Sequence, residues 1–336
     1  MSRVISILMP FRDAEASLPE TLESIAAQSF ADWELVAVDD GSEDRSGEMV
    51  RAFAARERRT VLVEPGRVGL VAALNLGLER CSFRLVARMD ADDVMHPERL
   101  ADQRAWLEKH PGHSIAGSLV EIFSEEPVSE GAAEYIRWQN GCRTPEEIAN
   151  DRYVESPLAH PSVMFHRESV LAAGGYRSGD FPEDYELWLR MLERGATISK
   201  VPRVLLRWRD SVGRMSRTDP RYSRENFDRL RAEYLARDAR LCGAREVVFW
   251  GAGRRTRPRT RHLRDLGIAG TAWIDIDPRK IGYRVEGLPV HPPEWLERAE
   301  RPFVLVYVAT HGARDSIAGR LAALGYVLGE DWLPVG

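Results

Sequence analysis

The stretch SILMPFRDAEASLPETLESIAAQSFADWELVAVDDGS, residues 6–42, decides the fold of the first half of the chain. The apolar run at its start predicts a buried strand, and ELVAV at 34–38 predicts another. Between them, residues 17–28 show an amphipathic pattern that predicts a helix, with Ser17 and Glu20 in the positions of a capping box. This order predicts two strands of a parallel sheet joined by a crossover helix.

The same alternation continues to residue 88. A helix at 46–58, a strand at 60–64, a helix at 69–80 and a strand at 84–88 extend the series. The pattern predicts an open parallel sheet with helices on both faces. Ligands bind beyond the carboxyl ends of strands in such sheets, and three of these ends carry the polar sequences PFRDAE, DDGS and DADD. We therefore expect the three sequences to meet in one crevice.

Length and charge limit the organisation of the chain and its partners. A chain of 336 residues predicts two domains. The charged helical stretch 218–240 offers a natural cut, which gives domains 1–240 and 241–336. With 47 basic and 52 acidic residues, the formal net charge of −5 gives no global attraction to nucleic acid. We therefore expect no nucleic-acid partner.

The cysteines and the apolar runs indicate a compartment. Cys81, Cys142 and Cys242 show no CxxC spacing, and no apolar signal segment follows the first residue, so we expect a cytoplasmic protein. The longest apolar runs, such as 4–9 and 303–309, are much shorter than the roughly 20 residues of a spanning helix. We expect no transmembrane segment, and a peripheral position at the inner membrane face is compatible with this.

The sequence RMDADD places Asp90, Asp92 and Asp93 within four positions at the end of a predicted strand. Carboxylates so close repel one another, and a bound cation would offset that repulsion. Mg²⁺ and Mn²⁺ take oxygen ligands and would share them with a diphosphate. The alternative is an Asx turn followed by a helix cap. Asp40 of DDGS could likewise accept hydrogen bonds from a nucleobase or only shape a turn.

The segment PEDYELWLRML predicts a helix on which Asp184 lies one turn before Trp188. A carboxyl group on the apolar stripe has a raised proton affinity, which suits a general base. The alternative is a capped amphipathic helix without a catalytic role. We expect His160, in AHPSVMF, to be a structural rather than a catalytic histidine.

The segment LLRWRDSVGRMSR gathers basic and hydroxyl side chains. It contains Arg207, Arg209, Arg214, Arg217, Ser211 and Ser216. Such a loop could close on the diphosphate of a nucleotide. The alternative is a solvated basic loop.

Five segments in order resemble one enzyme family. They are residues 6–42, GLVAALNLGLE, RMDADDVMHPERL, HPSVMFHRESVLAAGGYR and EDYELWLRMLERG. Together they resemble the family 2 glycosyltransferases of the GT-A fold, over roughly residues 4–218. The resemblance implies an open mixed α/β sheet. It also implies inverting transfer of a sugar from a UDP-, GDP- or dTDP-sugar to an acceptor hydroxyl on a glycan or a lipid-linked glycan, in cell-surface or exopolysaccharide synthesis.

The resemblance also assigns residues. It implies a nucleotide pocket that contains Pro10, Phe11, Arg12, Glu15, Asp40 and Asp90. It implies a cation, Mn²⁺ or Mg²⁺, bound by Asp92 with Asp90 and Asp93. The family's catalytic base aligns with Asp184 of the Glu183–Asp184 pair.

Two departures from the family pattern change the expectation for the late loop. Many relatives carry an R-x-H pattern where this chain has Arg207, Trp208 and Arg209, and a guanidinium cannot ligate a cation. We therefore expect contacts to the diphosphate from Arg209, Arg214 and Ser216. The QxxRW motif of processive synthases is absent from the sequence, which favours the addition of one sugar per encounter.

The C-terminal block resembles small Rossmann-like nucleotide-fold domains. Gly251 and Gly253 match the first two glycines of G-x-G-x-x-G, Thr256 replaces the third, and Asp275 lies 22 residues beyond Gly253. Several arginines crowd the turn, so we expect docking or homodimer contact rather than NAD binding. Two other functions stay open. A nucleotidyltransferase would normally show a phosphate loop rich in glycine and lysine, and a catalytically silent scaffold would bind a nucleotide sugar without transferring it.

Overall fold

The computed structural model describes residues 4–211, 213–241, 243, 245–297, 300–308 and 312–336. Cys242 and the end of the predicted strand at 303–310 lie outside these residues. The chain divides into two compact units, residues 1–148 with 157–219 and residues 149–156 with 220–336. Among the described residues, every helix is too short or too polar to cross a bilayer.

The helices and strands follow the predicted alternation. In the first part of the chain they are β1 (Ile5–Phe11), α1 (Leu18–Ala26), β2 (Trp33–Asp39), α2 (Ser46–Arg56), β3 (Thr60–Val63), α3 (Leu70–Arg80), β4 (Leu85–Arg88), β5 (Val94–Met95), α4 (Arg99–Lys109), β6 (His113–Phe123), α5 (Glu130–Gly141), α6 (Pro145–Asp151), β7 (Met164–His166), α7 (Arg167–Ala173), α8 (Glu183–Glu193), β8 (Thr197–Arg209) and α9 (Met215–Thr218). A 3-10 turn at His160–Ser162 precedes β7.

The C-terminal part is also α/β. Its elements are α10 (Arg224–Leu235), β9 (Val247–Trp250), α11 (Arg257–Asp265), β10 (Ala272–Ile274), β11 (Arg284–Val285), β12 (Leu288–His291), β13 (Phe303–Val306), α12 (Ala313–Ala323) and β14 (Trp332–Pro334).

The first unit contains an eight-stranded sheet in the order β3-β2-β1-β4-β7-β6-β8-β5. The four strands predicted from the alternation, β1 to β4, are parallel. Strand β7 runs antiparallel to both β4 and β6, and β5 runs antiparallel to β8. The sheet is therefore mixed, as the resemblance implied, whereas the local pattern alone predicted a parallel one.

Two apolar layers cover the faces of this sheet. Because side chains alternate along a strand, Ile7 and Met9 of β1 pack with α1, α2 and α4, whereas Leu8 packs with α3 and α8 on the other face. Helix α3 lies so close to the sheet that a Cβ on Gly77 would be 2.3 Å from Leu8 Cδ1. The predicted helices on both faces are confirmed.

Buried polar side chains of α4 tie the centre of the sheet together. Arg99 and Gln103 have no exposed surface. Arg99 Nη2 donates to the Arg88 carbonyl at 2.8 Å, and Gln103 Nε2 donates to the carbonyls of Ala116 at 2.7 Å and Ser162 at 2.8 Å. These bonds satisfy carbonyls at the junction of β4, β6 and β7, where the strand direction changes.

The second unit contains a six-stranded sheet in the order β11-β12-β10-β9-β13-β14. Five of its strands are parallel, and β11 forms an antiparallel pair with β12. Counted along this unit without β11, the parallel order is third, second, first, fourth, fifth. The predicted strand, glycine turn and helix at its start are present as β9, residues 251–256 and α11.

The division into compact units differs from the cut near residue 240. The structure places residues 220–240, which include α10, with the C-terminal unit. One contact explains this, since the buried Asp228 of α10 accepts a hydrogen bond from Arg259 Nε of α11 at 3.1 Å. Whether 1–240 and 241–336 behave as separate domains stays a prediction.

Candidate functional site

The loops after β1 and β2 interlock through backbone amides. Ala14 N–H donates to Ser46 Oγ at 2.8 Å, and Glu15 N–H donates to Asp44 Oδ2 at 3.0 Å. Asp13 has a positive φ of 49° and accepts from the Glu43 amide at 2.8 Å. Two of the three predicted polar strand ends are therefore joined in one structure.

The four residues predicted from PFRDAE occupy different environments. Pro10 and Phe11 are buried, and Phe11 packs in the apolar layer that contains α1 and α2. Arg12 is exposed, and its Nε lies 3.6 Å from Asp13 Oδ2. Glu15 is partly buried and lies 3.8 Å from Arg45 Nη1. Arg12 and Glu15 can reach a ligand, whereas Phe11 supports the loop from within.

Asp40 is buried and holds a neighbouring loop. Its Oδ1 accepts from the amides of Val68 at 2.7 Å and Gly69 at 2.6 Å. Its own amide donates to the Phe11 carbonyl at 2.9 Å. The carboxylate thus joins the end of β2 to the loop before α3. Asp40 therefore has the structural role in shaping a turn that the sequence analysis gave as the alternative to binding a nucleobase.

Hydroxyl groups at the start of α1 fix the backbone of the acidic run. Ser17 Oγ donates to the Ala91 carbonyl at 3.1 Å, and Thr21 Oγ1 donates to the Asp93 carbonyl at 2.8 Å. The capping-box prediction is wrong, because Ser17 makes no side-chain cap and Glu20 pairs with Arg209. The third polar strand end is thereby held against the first.

Asp90, Asp92 and Asp93 bring oxygen atoms within 4.8 Å of one another. Asp93 is fully buried, its Oδ1 accepts from the Arg209 amide at 2.8 Å, and its Oδ2 has no hydrogen-bond partner in the described part of the chain. Burial and the charge of Asp90 raise the pKa of Asp92 to about 6. Burial and both neighbouring carboxylates raise the pKa of Asp93 well above its ordinary value. An oxygen-rich cluster with an unpaired buried oxygen fits a hard divalent cation.

The guanidinium of Arg209 makes its contacts with other residues of the protein. Its Nε donates to the Asp92 carbonyl at 2.7 Å, and its Nη2 pairs with Glu20. Its guanidinium also lies 4.4 Å from the centre of the Phe123 ring. These contacts brace the acidic run against α1.

Arg214 and Ser216 lie in the segment after β8. Arg214 stacks on Trp208 at 3.8 Å from the ring centre, and its charge lowers the pKa of Asp92 and Asp93. Ser216 is exposed on the short helix α9. The charge of Arg214 thus acts on the acidic cluster, and its contact with a diphosphate stays a prediction.

Arg88 is a buried cation that the sequence interpretation missed. Its side chain is 3% exposed and forms an ion pair with Asp90. Its charge offsets part of the rise in the pKa of Asp92 and of Asp184. A basic residue at the end of the otherwise apolar strand LVAR was the signal that could have revealed it.

Asp184 lies in the first turn of α8 and is partly buried. Trp188, one turn later, has no exposed surface, so the predicted apolar stripe is confirmed. Burial, and next the charge of Glu183, raise the pKa of Asp184 to about 7. Glu183 is buried, and its Oε1 lies 3.9 Å from His160 Nδ1.

His160 has the structural environment that was expected. Its Nε2 lies 3.0 Å from the Tyr176 hydroxyl, and its ring lies edge-on to Trp188. Burial and the charge of Arg88 hold the pKa of His160 well below its ordinary value, so the ring is neutral. The backbone of Tyr176 is fixed in turn by Asn75, which bonds to its amide and its carbonyl at 2.9 Å each.

The glycine turn of the second unit is present, but its acidic residue is engaged. Gly251 has a φ of 113°, and a Cβ there would be 2.9 Å from Val308 Cγ2, so the turn requires glycine. Asp275 is buried and accepts from the Ala252 amide at 2.9 Å and from Lys280 Nζ at 2.8 Å. Gly253 follows in the same turn and is partly buried.

Comparisons with known proteins decide the family. A family model described as "Glycosyl transferase family 2" matches residues 6–172. The amylovoran biosynthesis glycosyltransferase AmsE of Erwinia amylovora is 33% identical over 209 residues, which cover 61% of this chain and 76% of that protein. This chain is a member of glycosyltransferase family 2. The acidic cluster and Asp184 thus belong to a glycosyltransferase, and the family predicted from the five segments is confirmed.

Solved structures share the fold of this glycosyltransferase. S. aureus TarS 1–349 in complex with UDP-GlcNAc has a TM-score of 0.54 at 17% identity, covering 78% of this chain and 71% of that chain. The mannosyltransferase PcManGT of Pyrobaculum calidifontis, in complex with GDP-Man and Mn²⁺, has a TM-score of 0.51 at 20% identity, covering 70% and 63%. At these identities the likeness shows the fold.

Proposed function

We propose that this glycosyltransferase moves a sugar from a nucleotide-sugar donor to an acceptor hydroxyl with inversion, assisted by a divalent cation. One observation carries the proposal. Three carboxylates cluster at the carboxyl edge of the sheet, where the buried Arg88 pairs with Asp90. Asp184 lies in the first turn of α8, and burial and the charge of Glu183 raise its pKa to about 7. A cation site and a proton acceptor are the two parts that a single displacement needs.

Asp92, Asp90 and Asp93 would hold Mn²⁺ or Mg²⁺. Two observations support a cation there: oxygen atoms of the three carboxylates lie within 4.8 Å of one another, and the buried Oδ2 of Asp93 has no hydrogen-bond partner within the described residues. A cation there would neutralise the charge that develops on the departing diphosphate. The Mn²⁺ in the structure of the mannosyltransferase supports this assignment. Arg214, which faces the same carboxylates, and Ser216 would contact the diphosphate.

Asp184 would act as the general base. Above a pH of about 7 its carboxylate is ionised and can accept the proton of the acceptor hydroxyl. As that oxygen bonds to the anomeric carbon from one side, the bond to the diphosphate oxygen breaks on the other, and the configuration inverts. Glu183, held in the buried layer behind it, sustains the raised pKa of Asp184.

The nucleotide would lie over the interlocked loops after β1 and β2. Arg12 and Glu15 are accessible there, and Asp40 shapes the same edge. The UDP-GlcNAc bound to TarS and the GDP-Man bound to the mannosyltransferase support a nucleotide-sugar donor. The name of AmsE supports a role in extracellular polysaccharide synthesis. Family membership favours transfer over the nucleotidyltransferase and silent-scaffold alternatives.

The C-terminal unit would be a Rossmann-like domain that does not use a dinucleotide. The parallel strand order supports this fold. Asp275 Oδ2 already accepts from the Ala252 amide and from Lys280 Nζ, which leaves little capacity to bind a ribose. Docking or a homodimer through this unit stays a prediction, as do the cytoplasmic location and a peripheral position at the membrane.

Asp184→Asn is the direct test of the proposed chemistry. Purified protein is incubated with Mn²⁺ and a panel of UDP-, GDP- and dTDP-sugars, and release of the nucleoside diphosphate is measured with and without glycan acceptors. We expect the variant to lose turnover while its donor affinity stays within about threefold, because the base does not hold the nucleotide. The control is Asp180→Asn, an exposed aspartate just before α8. Undiminished turnover in Asp184→Asn, or full turnover in EDTA, would refute the proposal.

A further inference from the structure

The turn after β9 and the loop after β10 lie together at the carboxyl edge of the second sheet. Strands β9, β10 and β12 are parallel, so their carboxyl ends share one edge. The Ala252 amide donates to Asp275 Oδ2 at 2.9 Å, and Lys280 Nζ donates to the same oxygen at 2.8 Å. Residues 251–256 and 275–284 thus form one surface, the carboxyl-edge surface.

The carboxyl-edge surface is basic although the chain is acidic. Residues 251–287 contain nine Lys and Arg against four Asp and Glu, whereas the formal net charge of the whole chain is −5. Arg254 and Arg255 are exposed, and neither forms an ion pair within the described part of the chain. Arg284 is also exposed, and it donates to the Gly287 carbonyl at 2.7 Å rather than to a carboxylate. Other basic side chains of this stretch pair with carboxylates, namely Arg261 and Arg264 with Glu286 and Arg279 with Asp277.

Two large apolar side chains lie on the same surface. Ile276 is 69% exposed at the start of the loop after β10, and Tyr283 is 68% exposed at the end of that loop. No other large apolar side chain among the described residues is as exposed. A single exposed apolar side chain is ordinary on a folded protein, but a pair beside guanidinium groups without a protein anion has the composition of a surface that binds a membrane interface.

The opposite edge of this sheet also exposes apolar side chains, but its charges have the other sign. Val327 is 49% exposed and lies before β14. Its amide donates to Asp331 Oδ2 at 2.8 Å, and the neighbouring Glu330 is exposed. Carboxylates there would be repelled by an anionic surface. Charge therefore selects the carboxyl edge, and it selects a negatively charged occupant.

We propose that the carboxyl-edge surface docks on an anionic lipid bilayer. Ile276 and Tyr283 enter the interface, and the three arginines without a protein anion contact lipid phosphates. A bilayer removes both apolar side chains from water and neutralises the arginines at once, whereas a nucleic acid would contact the arginines without burying Ile276. The inference does not depend on the proposed sugar transfer. It assigns a surface to the predicted peripheral position at a membrane.

Sedimentation of the full chain with lipid vesicles tests the role of charge. The vesicles contain phosphatidylcholine alone or phosphatidylcholine mixed with phosphatidylglycerol. We expect binding to the mixed vesicles, weakened when salt rises from about 0.1 M to about 1 M, because the Debye length falls from about 10 Å to about 3 Å. Each basic side chain near an anionic surface strengthens binding about fivefold, so Arg254→Gln/Arg255→Gln should weaken it about 25-fold. The control Arg56→Gln/Arg58→Gln removes two exposed arginines from the first unit and should bind like wild type.

Ile276→Ser tests the role of the apolar side chains. The lower end of the free energy gained by burying an isoleucine corresponds to about a tenfold weaker binding to the mixed vesicles. The control is Val327→Ser, which removes an exposed apolar side chain beside carboxylates and should bind like wild type. All the substituted side chains are exposed, so we expect each variant to keep its melting temperature and its release of nucleoside diphosphate from soluble donors.

The outcomes separate a bilayer from other occupants. Equal affinity for neutral and mixed vesicles, or wild-type binding by Ile276→Ser and by the Arg254/Arg255 variant, would overturn the proposal. Equal losses in the two control variants would also overturn it, because net charge or total apolar surface would then govern binding.

Two further results would assign the surface to a different occupant. Duplex DNA that binds more tightly than the mixed vesicles and is unaffected by Ile276→Ser would identify a nucleic-acid surface and overturn the proposal. A dimer that dissociates in Ile276→Ser, without vesicle binding by wild type, would assign the surface to a second copy of the chain. Because turnover of soluble donors is measured without vesicles, failure of membrane binding leaves the proposed sugar transfer untouched, and loss of that function leaves membrane binding untouched.

Discussion

Asp40→Ala should reveal how much of the nucleotide edge is held by one carboxylate. Oδ1 of Asp40 accepts two backbone hydrogen bonds, at 2.7 and 2.6 Å. A hydrogen bond to a charged group contributes about 1.5–3 kcal/mol, and we take the lower value because the loop can reach water once it is released. Two bonds then give a loss of about 3 kcal/mol. Asp40→Asn keeps a neutral acceptor and should lose about half as much.

Calorimetry of the full chain, followed at the transition of the first unit, measures this loss. For a unit of about 150–250 residues, 3 kcal/mol corresponds to a fall of about 6–12 °C in melting temperature. Glu43→Ala is the matched control, because Glu43 is an exposed carboxylate in the same loop. A melting temperature for Asp40→Ala within about 1 °C of wild type would show that the carboxylate does not hold the loop. The charge of Asp40 would then serve the ligand alone.

Three other perturbations have signs that the structure fixes. Burial lowers the pKa of Lys200 to about 7, so between pH 7 and 9 this side chain is protonated in the unfolded chain but not in the folded chain. Wild type should therefore gain stability over this range relative to Lys200→Met, and a difference in melting temperature that is constant with pH would contradict this. Asp275→Ala should lower the melting temperature of the second unit without changing kcat for release of the nucleoside diphosphate. A loss of kcat without a lower melting temperature would contradict a structural role. Glu20→Ala removes a half-exposed ion pair with Arg209 and should cost less than about 1 kcal/mol in urea unfolding; a loss above about 2 kcal/mol would show that the brace is cooperative.

Local patterns predicted the first four strands and the helices between them. Apolar periodicity is carried by neighbouring residues, and Ile7, Leu8 and Met9 alternate between the two faces as the pattern requires. The same locality placed Asp90 and Asp92 at a strand end and Asp184 one turn before Trp188. These positions could be predicted from the sequence because each depends only on the spacing of residues within one helix or strand.

The strands after β4 and the partners of the charged residues could not be read in this way. The antiparallel strand β7 has no local signature of direction, and its pairing with β4 depends on segments far apart in the chain. Glu20 and Arg209 are separated by 189 positions, so the local sequence predicted a capping box and gave no sign that Glu20 would pair with Arg209 instead. For the same reason the compact units divide the chain near residue 220, since α10 packs with α11.

The sequence by itself determined the alternation of elements, the acidic run and the carboxyl group on the apolar stripe of α8, because all three follow from the short-range geometry of strands and helices. The tertiary structure alone decided that Arg88 would be buried beside Asp90. It also decided that Arg209 would brace the acidic run and that Asp40 would hold a loop. The physical reason is that burial, and the interactions between buried charges from distant segments, arise only when those segments pack together.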